Sequence, residues 1–173
     1  MITRTAGPQL LLPVSPGFIW STLVLAFLVN LLPLGRQPWM PDVLAVVLVF
    51  WNMHQPRHVG LAAAFLFGLC LDVHQAALLG QHALAYSVLS FAAISLQRRI
   101  LWRSMPAQAL HLLPLFALCY ALIVAVRLLA GGIAPGWLVL LSPVLEAALW
   151  PLLAWLLLAP QRRAPHPDAD RPI

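Results

Sequence analysis

Three ionisable residues lie within apolar segments of this chain, and their side chains are the first candidates for chemistry. Asp72, Arg127 and Glu146 each follow or interrupt a long apolar run. If those runs lie in a membrane, an ionisable group at the bilayer centre costs about 2.5–3.5 kcal/mol or more on insertion scales. Each of the three therefore requires a structural or functional reason.

The expected depths of these residues predict how they pair. At about 1.5 Å per residue of helix, Asp72 and Arg127 both fall in the outer third of the membrane, and Glu146 falls near its middle. We therefore expect an Asp72–Arg127 ion pair, with Glu146 facing the bundle interior, protonated or bonded to Asn30 or Ser142. Such a pair could serve only to fix helix packing, since a buried salt bridge is weak evidence for stability. Partner binding, and catalysis or proton transfer, are the alternatives.

Two histidines flank the turn that follows Asp72. His74 and His82 are eight residues apart with a turn between them, so their spacing does not predict a metal site. We interpret them, with Gln75 and Gln81, as polar residues at the outer face of the membrane. The turn from His74 to His82 is where we expect a periplasmic partner to touch.

Small residues in the same stretch predict close helix packing. Gly60, Ala64 and Gly68 recur at every fourth position, a spacing that lets two helix backbones approach each other. Gly68 and Gly80 permit close helix approach or a tight turn. We therefore expect the helix that contains Asp72 to be central and tightly packed.

The composition indicates an integral membrane protein. The chain has 173 residues, is 62% hydrophobic and only 9% charged, and has a mean hydropathy of +0.89. Soluble domains are usually about 45–50% apolar and about 25% charged. The net charge of +5 comes from ten arginines placed singly or in short groups between apolar segments. That arrangement indicates membrane topology and does not favour nucleic-acid binding.

Breaks between the apolar runs predict six membrane-spanning helices in one domain. A span needs about 20 apolar residues to cross about 30 Å of hydrocarbon. Asp42, directly after Pro41, favours a helix start there, because an acid in the first turn faces the positive end of the helix dipole. The polar, proline-rich tail 160–173 is predicted to be disordered. The predicted spans are about 18–34, 41–53, 59–73, 80–96, 107–129 and 137–159.

The arginines predict the orientation of this bundle. With six alternating spans, most of them fall on one side of the membrane, which the positive-inside rule makes cytoplasmic. Both termini are then cytoplasmic. One side carries Arg4, Arg57, Arg98, Arg99, Arg103, Arg162, Arg163 and Arg171, and the other carries Arg36 and Arg127.

No sequence motif predicts catalysis, a metal or a cofactor. The chain contains no GxSxG, HExxH or phosphate-binding Walker motif. Cys70 and Cys119 both lie in apolar spans, without a CxxC or Cys/His spacing. We therefore expect no enzyme activity, no catalytic residues, no metal and no cofactor.

Short motifs between residues 41 and 99 resemble those of a known family. They are Pro41-Asp42 before an aliphatic span that ends in Phe50-Trp51, then Pro56, Phe65-x-x-Gly68-Leu69-x-x-Asp72, Leu78-Leu79-Gly80-Gln81-His82-Ala83-Leu84-x-Tyr86, and Arg98-Arg99. With the chain's size and its six-span hydropathy, these motifs resemble the rod shape-determining protein MreD family. The likeness covers about residues 18–160, and the second half matches mainly in hydropathy.

The resemblance implies a non-catalytic component of the bacterial cell-elongation machinery that builds peptidoglycan. Its implied partners are the periplasmic-facing MreC protein and, indirectly, the actin-like MreB filament and a transglycosylase–transpeptidase pair, with membrane lipids around the helices. The implied fold is similar to the substrate-binding subunits of vitamin transporters. A structural or partner-binding role is expected for Gly68, Asp72, His74, Gly80, His82, Arg127 and Glu146.

A second class of function stays open. A small-molecule carrier of the vitamin-transporter type would have the same size and the same outward polar cluster. Its pocket would lie between the outer ends of the spans and would include Asp72, His74, His82 and Arg127. The motifs favour the scaffold, and co-purification with an MreC-type protein would distinguish the two.

Overall fold

Each of the six predicted apolar segments contains an α-helix. The computed structural model describes residues 14–32 and 39–161, and it contains helices and no strands within them. Predictions about Arg4, Arg36 and the chain from residue 162 onward lie outside the described residues. The helices are α1 (Pro16–Leu31), α2 (Val43–His54), α3 (Gly60–Gln75), α4 (Gln81–Leu101), α5 (Met105–Leu129) and α6 (Leu141–Leu158).

Two short 3-10 turns flank the last helix. One, Trp137–Leu140, leads into α6, and the other, Ala159–Gln161, follows it. The second turn includes the first two residues of the tail that was predicted to be disordered, and Gln161 in it is buried. The side-chain nitrogen of Gln161 donates to the Leu157 carbonyl at 3.0 Å, which extends the order of α6 to that point.

The predicted helix start at Asp42 is confirmed. Asp42 is the N-cap of α2, and its carboxylate accepts a hydrogen bond from the backbone N–H of Ala45 at 2.9 Å. This bond satisfies one of the N–H groups that have no partner in the first turn of a helix. α1 begins in a similar way, with Ser15 as its N-cap and Pro16 in its first turn.

The central helix is α2, and the prediction that α3 is central is wrong. Every residue of α2 from Leu44 to Met53 is buried, whereas α3 buries only five of its residues. α2 packs against α1, α4 and α6. A helix of twelve residues can be buried on all sides because its neighbours are longer.

Polar side chains join α2 to its neighbours inside the core. The Trp51 indole nitrogen donates to the Thr22 hydroxyl of α1 at 2.9 Å, and Asn52 donates to the Ser90 hydroxyl of α4 at 3.0 Å. Buried polar groups need such partners, because a buried donor or acceptor without a hydrogen bond costs about 1–3 kcal/mol. These bonds fix the rotation of helices whose faces are almost uniformly apolar.

α3 packs tightly against α4, as its small residues predicted. Gly68 is buried, and a Cβ atom built on it would lie 2.5 Å from the Ala83 Cα of α4. Real Cβ atoms do not approach a backbone atom so closely, so only glycine fits this contact. Ala64, one turn earlier on the same ridge, is fully buried.

The helices alternate in direction. The C-terminal ends of α1, α3 and α5 line one cavity together with the first residues of α2 and α4 and with the 3-10 turn before α6. We call this end of the bundle the cavity end. Because α2, α4 and α6 start there, the connections α2–α3 and α4–α5 lie at the opposite end.

Two of the described helical segments are long and apolar enough to cross a membrane by length and composition. They are Met105–Leu129 and Trp137–Gln161. The helices α1, α2 and α3 are apolar but shorter. Their lengths do not by themselves establish a crossing.

Candidate functional site

Asp72 connects α3 to the start of α4. Its carboxylate accepts hydrogen bonds from the backbone N–H groups of Gly80 and His82, both at 2.8 Å, and from Nδ1 of His82 at 2.7 Å. The N-cap of α4 is Gly80, which has no side chain to perform this role, and its φ of 98° favours glycine. Free N–H groups and the dipole at a helix N-terminus favour a negative charge. Asp72 therefore caps α4 from the neighbouring helix.

The predicted ion pair between Asp72 and Arg127 is wrong. Within the described residues, the side chain that contacts the Asp72 carboxylate is His82, through Nδ1 at 2.7 Å. Arg127 is exposed at the end of α5, beside the backbone of Gly132. The reason for the difference is proximity along the chain: the turn after α3 brings the N-terminus of α4 back onto Asp72, so its carboxylate is already satisfied there.

The two histidines have different environments, and only one is at the surface. His74 is exposed, whereas His82 and Gln81 are buried with 7% of their surface accessible. His82 and Gln81 are thus shielded by the protein at the cavity end, and the place of all four polar residues at the outer face of the membrane stays a prediction. His82 is held from two sides, by Asp72 through Nδ1 and by the ring of Tyr86 at a centroid distance of 6.1 Å.

A second polar cluster surrounds Asp42 at the start of α2. One oxygen of Asp42 accepts from the Asn30 amide as well as from Ala45, and the other accepts from the Tyr86 hydroxyl. Asn30 belongs to α1 and Tyr86 to α4. The carboxylate thus holds three helices together at the cavity end.

Glu146 completes the same cluster from α6. It is fully buried, and its Oε1 atom accepts from the backbone N–H of Asp42 at 2.9 Å and from the Tyr120 hydroxyl at 2.8 Å. Of the two partners expected for Glu146, Asn30 donates to Asp42 instead. Glu146 therefore lies at the level of the first turn of α2 and links α2, α5 and α6.

The three carboxylates of the described chain share one role. Asp42 and Asp72 accept N–H groups in the first turns of α2 and α4, and Glu146 accepts the N–H of the residue that caps α2. An acid in an apolar segment is costly unless it is fully hydrogen-bonded. The starts of α2 and α4 provide both donors and a favourable dipole for these carboxylates. Glu146 uses only its Oε1 atom in this way, and its buried Oε2 atom has no hydrogen-bond partner in the described structure.

A cavity of about 1090 Å³ lies between the outer parts of the helices at the cavity end. Its lining is part apolar, from residues such as Leu71 and Ile123, and part polar. Asp72, which was expected in such a pocket, does not line it. The polar lining includes Asn30, Asp42, His74, Gln81, His82 and Arg127.

No constellation for catalysis or metal binding is evident in the described part of the chain. No group of three or more His, Cys, Asp or Glu side chains that could hold a metal occurs there. Cys119 is buried and Cys70 is exposed on an apolar helix, and neither is in a disulfide. The chemistry that the clusters support is hydrogen bonding within the protein.

The sequence comparisons identify the family. The family described as rod shape-determining protein MreD matches residues 13–159. The chain belongs to the MreD family. It is also 38% identical over 71 residues to the rod shape-determining protein MreD of Haemophilus influenzae, a match that spans 40% of this chain and 44% of that protein. No solved structure matches the chain.

Membership of the MreD family confirms the resemblance seen in the sequence motifs. It supports a role in rod-shape determination and makes this a membrane protein. The likeness to vitamin-transporter subunits stays a prediction.

Sequence reasoning missed the tyrosines of this MreD-family protein. Tyr86 and Tyr120 are its only two tyrosines, and both donate their hydroxyl groups to buried carboxylates. A signal for them was present, because a phenol deep in an apolar span needs a hydrogen-bond partner. Pairing that need with the acids of other spans would have suggested both clusters.

Proposed function

We propose that this MreD-family protein is a non-catalytic membrane scaffold of the machinery that builds peptidoglycan during cell elongation. The observation that carries the proposal is the role of the three described carboxylates, each of which binds backbone N–H groups at a helix start. These hydrogen bonds join α1, α2, α4, α5 and α6 at the cavity end, which supports a structural role for the described acids. The family's role in rod shape supplies the biological setting.

The proposal includes an arrangement of six crossings in the bacterial inner membrane, with both termini cytoplasmic. In support, Arg57, Arg98, Arg99 and Arg103 lie on the connections or helix ends opposite the cavity, whereas Arg127 lies at the cavity end. The positive-inside rule then places the cavity end toward the periplasm. A fold similar to vitamin-transporter subunits is part of this proposal.

The proposed direct partner is an MreC-type periplasmic scaffold protein, which contacts the connection between α3 and α4. Indirect partners are an actin-like MreB filament and a lateral-wall transglycosylase–transpeptidase pair. Leu78 and Leu79 in this connection are 51% and 69% exposed, although they lie beside the buried His82. Asp72 and Gly80 would then act through position, because they fix the shape of the connection.

Site-directed photo-crosslinking in cells tests the partner surface. A photoreactive residue replaces Leu79 in one variant and Phe91, in the middle of α4, in the control. The two positions have similar exposure, 69% and 62%, but only Leu79 lies at the cavity end. We expect crosslinks to the MreC-type protein from position 79 and none from position 91. Equal crosslinking from both positions would contradict the proposed surface.

A depletion experiment tests the scaffold role itself. Loss of the protein in a rod-shaped host should produce rounded cells, and the wild-type gene should restore rods. The Asp72→Ala variant should fail to restore them, because the connection between α3 and α4 loses its main support. Depleted cells that remain rods would exclude a scaffold role in elongation.

The cavity favours one alternative, a small-molecule carrier of the vitamin-transporter type. The volume of the cavity, about 1090 Å³, is slightly above the range of about 300–1,000 Å³ that ligand sites usually have. His74, His82 and Arg127 line it as the carrier hypothesis predicted. Mass spectrometry of the purified protein would identify a retained compound. A cavity that holds none, together with co-purification of the MreC-type protein, would eliminate the carrier.

A further inference from the structure

A groove of about 290 Å³ lies at the end of the bundle opposite the cavity, where α4 turns into α5. It is lined by Leu96, Arg99, Ile100, Arg103 and His111. We call it the basic groove. Two guanidinium groups and an imidazole therefore converge beside two aliphatic side chains.

The basic groove has no acidic partner among the described residues. The acids among the described residues are Asp42, Asp72 and Glu146, and each is hydrogen-bonded at the cavity end. Within the described residues, the one contact between a carboxylate and a basic side chain within 4 Å is that between Asp72 and His82. The charges of Arg99 and Arg103 are thus not neutralised by a described carboxylate, and the groove favours an anion.

Hydrogen bonds hold the corner that forms the groove. The backbone N–H of Arg103 donates to the Ile100 carbonyl at 3.0 Å, and the Gln108 side chain donates to the Arg103 carbonyl at 2.9 Å. Gln108 is itself buried and accepts from the indole of Trp150 on α6 at 3.1 Å. The backbone position of Arg103 is therefore fixed, and none of the described side chains accepts a hydrogen bond from its guanidinium.

The imidazole of His111 is also oriented. Its Nδ1 lies 2.7 Å from the Ala107 carbonyl, and since a carbonyl can only accept, Nδ1 carries the proton. This bond fixes the ring on α5 and leaves Nε2 as a hydrogen-bond acceptor, which suits a hydroxyl group and not a phosphate oxyanion. The donors that the groove offers to an anion are therefore those of the two arginines.

We propose that the basic groove binds the phosphate headgroup of an anionic phospholipid. Guanidinium groups bind phosphate oxygens in pairs, and basic pockets between membrane helices suit anionic headgroups. Trp102, between the two arginines, is 90% exposed, as expected for an indole at the headgroup level. Leu96, which is half-buried above the buried Ile100, provides the apolar side along which an acyl chain lies. This site is independent of the scaffold role proposed above.

Binding to the purified full-length protein in detergent tests the proposal. The probes are short-chain phosphatidylglycerol, the matching phosphatidylcholine and inorganic phosphate. The groove variant carries Arg99→Gln and Arg103→Gln, and the control variant carries Arg57→Gln and Arg98→Gln. Both variants lose two exposed charges at the same end of the bundle, but only the first loses groove residues.

We expect the control variant to bind phosphatidylglycerol at most about thirtyfold more weakly than wild-type protein, since each of its two lost surface charges contributes about 1 kcal/mol or less. The groove variant should bind at least about tenfold more weakly than the control, the loss of one bidentate contact. Phosphatidylcholine and inorganic phosphate should bind much more weakly than phosphatidylglycerol.

Several results would overturn the proposal. Equal losses in the two double variants would show general surface charge, and equal binding of phosphatidylcholine would show that the headgroup charge is irrelevant. Equal binding of inorganic phosphate would indicate a soluble anion and not a lipid. If the groove variant fails to fold, the single variants Arg99→Gln and Arg103→Gln replace it, compared with Arg98→Gln, and unchanged affinity in both would reject the site.

Discussion

At the scale of single residues, the described carboxylates of this protein accept hydrogen bonds at the N-terminal ends of helices. A buried helix start leaves N–H groups that cannot reach water, and a carboxylate within reach satisfies them while facing the positive end of the dipole. Asp72 does this for α4 with two backbone bonds at 2.8 Å, and Glu146 supports the cap of α2. Two acids that look like candidates for chemistry therefore have hydrogen-bond partners within the fold.

Removing the Asp72 carboxylate should destabilise the fold strongly. We expect Asp72→Ala to lower the free energy of unfolding by about 2–4 kcal/mol, because bonds to a charged group contribute about 1.5–3 kcal/mol and a capping group about 1 kcal/mol. Thermal unfolding of the purified protein in detergent measures the change. Arg127→Ala is the control and should have little effect, since Arg127 is exposed and does not pair with Asp72. Equal losses of stability in the two variants would instead support an ion pair between Asp72 and Arg127.

The Tyr120 hydroxyl offers a smaller test of the second cluster. Tyr120→Phe removes the donor that reaches Oε1 of Glu146 at 2.8 Å and leaves the ring in place. We expect a loss of about 1–3 kcal/mol, because the buried carboxylate loses a hydrogen bond. Phe91→Tyr is the control, because it adds a hydroxyl at an exposed position of α4. No measurable loss in Tyr120→Phe would show that the bond contributes little.

At the scale of elements, the organisation depends on a short buried helix and one close contact. α2 is surrounded by its neighbours. Its residues Trp51 and Asn52 donate hydrogen bonds to α1 and α4, respectively. α3 and α4 approach until Gly68 meets the backbone of Ala83. The small-residue ridge thus has its effect at one position, where the two helices cross.

Adding a single methyl group at Gly68 should therefore be costly. In Gly68→Ala the new Cβ would lie 2.5 Å from the Ala83 Cα, so α3 and α4 must separate. Overpacking of this kind costs about 1–3 kcal/mol, which thermal unfolding would detect. Gly17→Ala is the matched control, because nothing lies within 4 Å of its Cβ position in α1. A Gly68→Ala protein as stable as the control would mean that the helices do not pack as closely as described.

At the scale of the whole molecule, the two ends of the bundle differ in chemistry. The cavity end holds the capped starts of α2 and α4, His74, His82 and the cavity of about 1090 Å³. The opposite end carries most of the described arginines, including those of the basic groove. Such an asymmetry orients a membrane protein, and it separates the proposed periplasmic partner surface from the proposed lipid site.

Cysteine labelling in intact cells tests this orientation. In a background without Cys70 and Cys119, Arg57→Cys and Leu129→Cys place single thiols at opposite ends, both at exposed positions. A membrane-impermeant reagent should label position 129 in intact cells and position 57 only after the membrane is opened. The reverse pattern would invert the bundle, and labelling of both from outside would contradict six crossings.

The sequence alone determined the class of protein and the places where helices form. Both follow from local chemistry, since apolar runs form helices in lipid and an acid such as Asp42 favours the start of one. The MreD-family motifs are short runs of neighbouring residues, so they too could be recognised from the sequence alone. The close contact at Gly68 was also foreseeable, because only small residues let helix backbones meet.

Only the tertiary structure decided which groups pair. The helix faces are almost uniformly apolar, so no polar stripe fixes how each helix is rotated about its axis. Depth along the span therefore suggested Arg127 for Asp72, whereas the turn between α3 and α4 delivered the N–H groups of Gly80 and His82. The central place of α2 and the bonds of Tyr86 and Tyr120 likewise depend on how six helices surround one another, which the order of residues along any single helix does not specify.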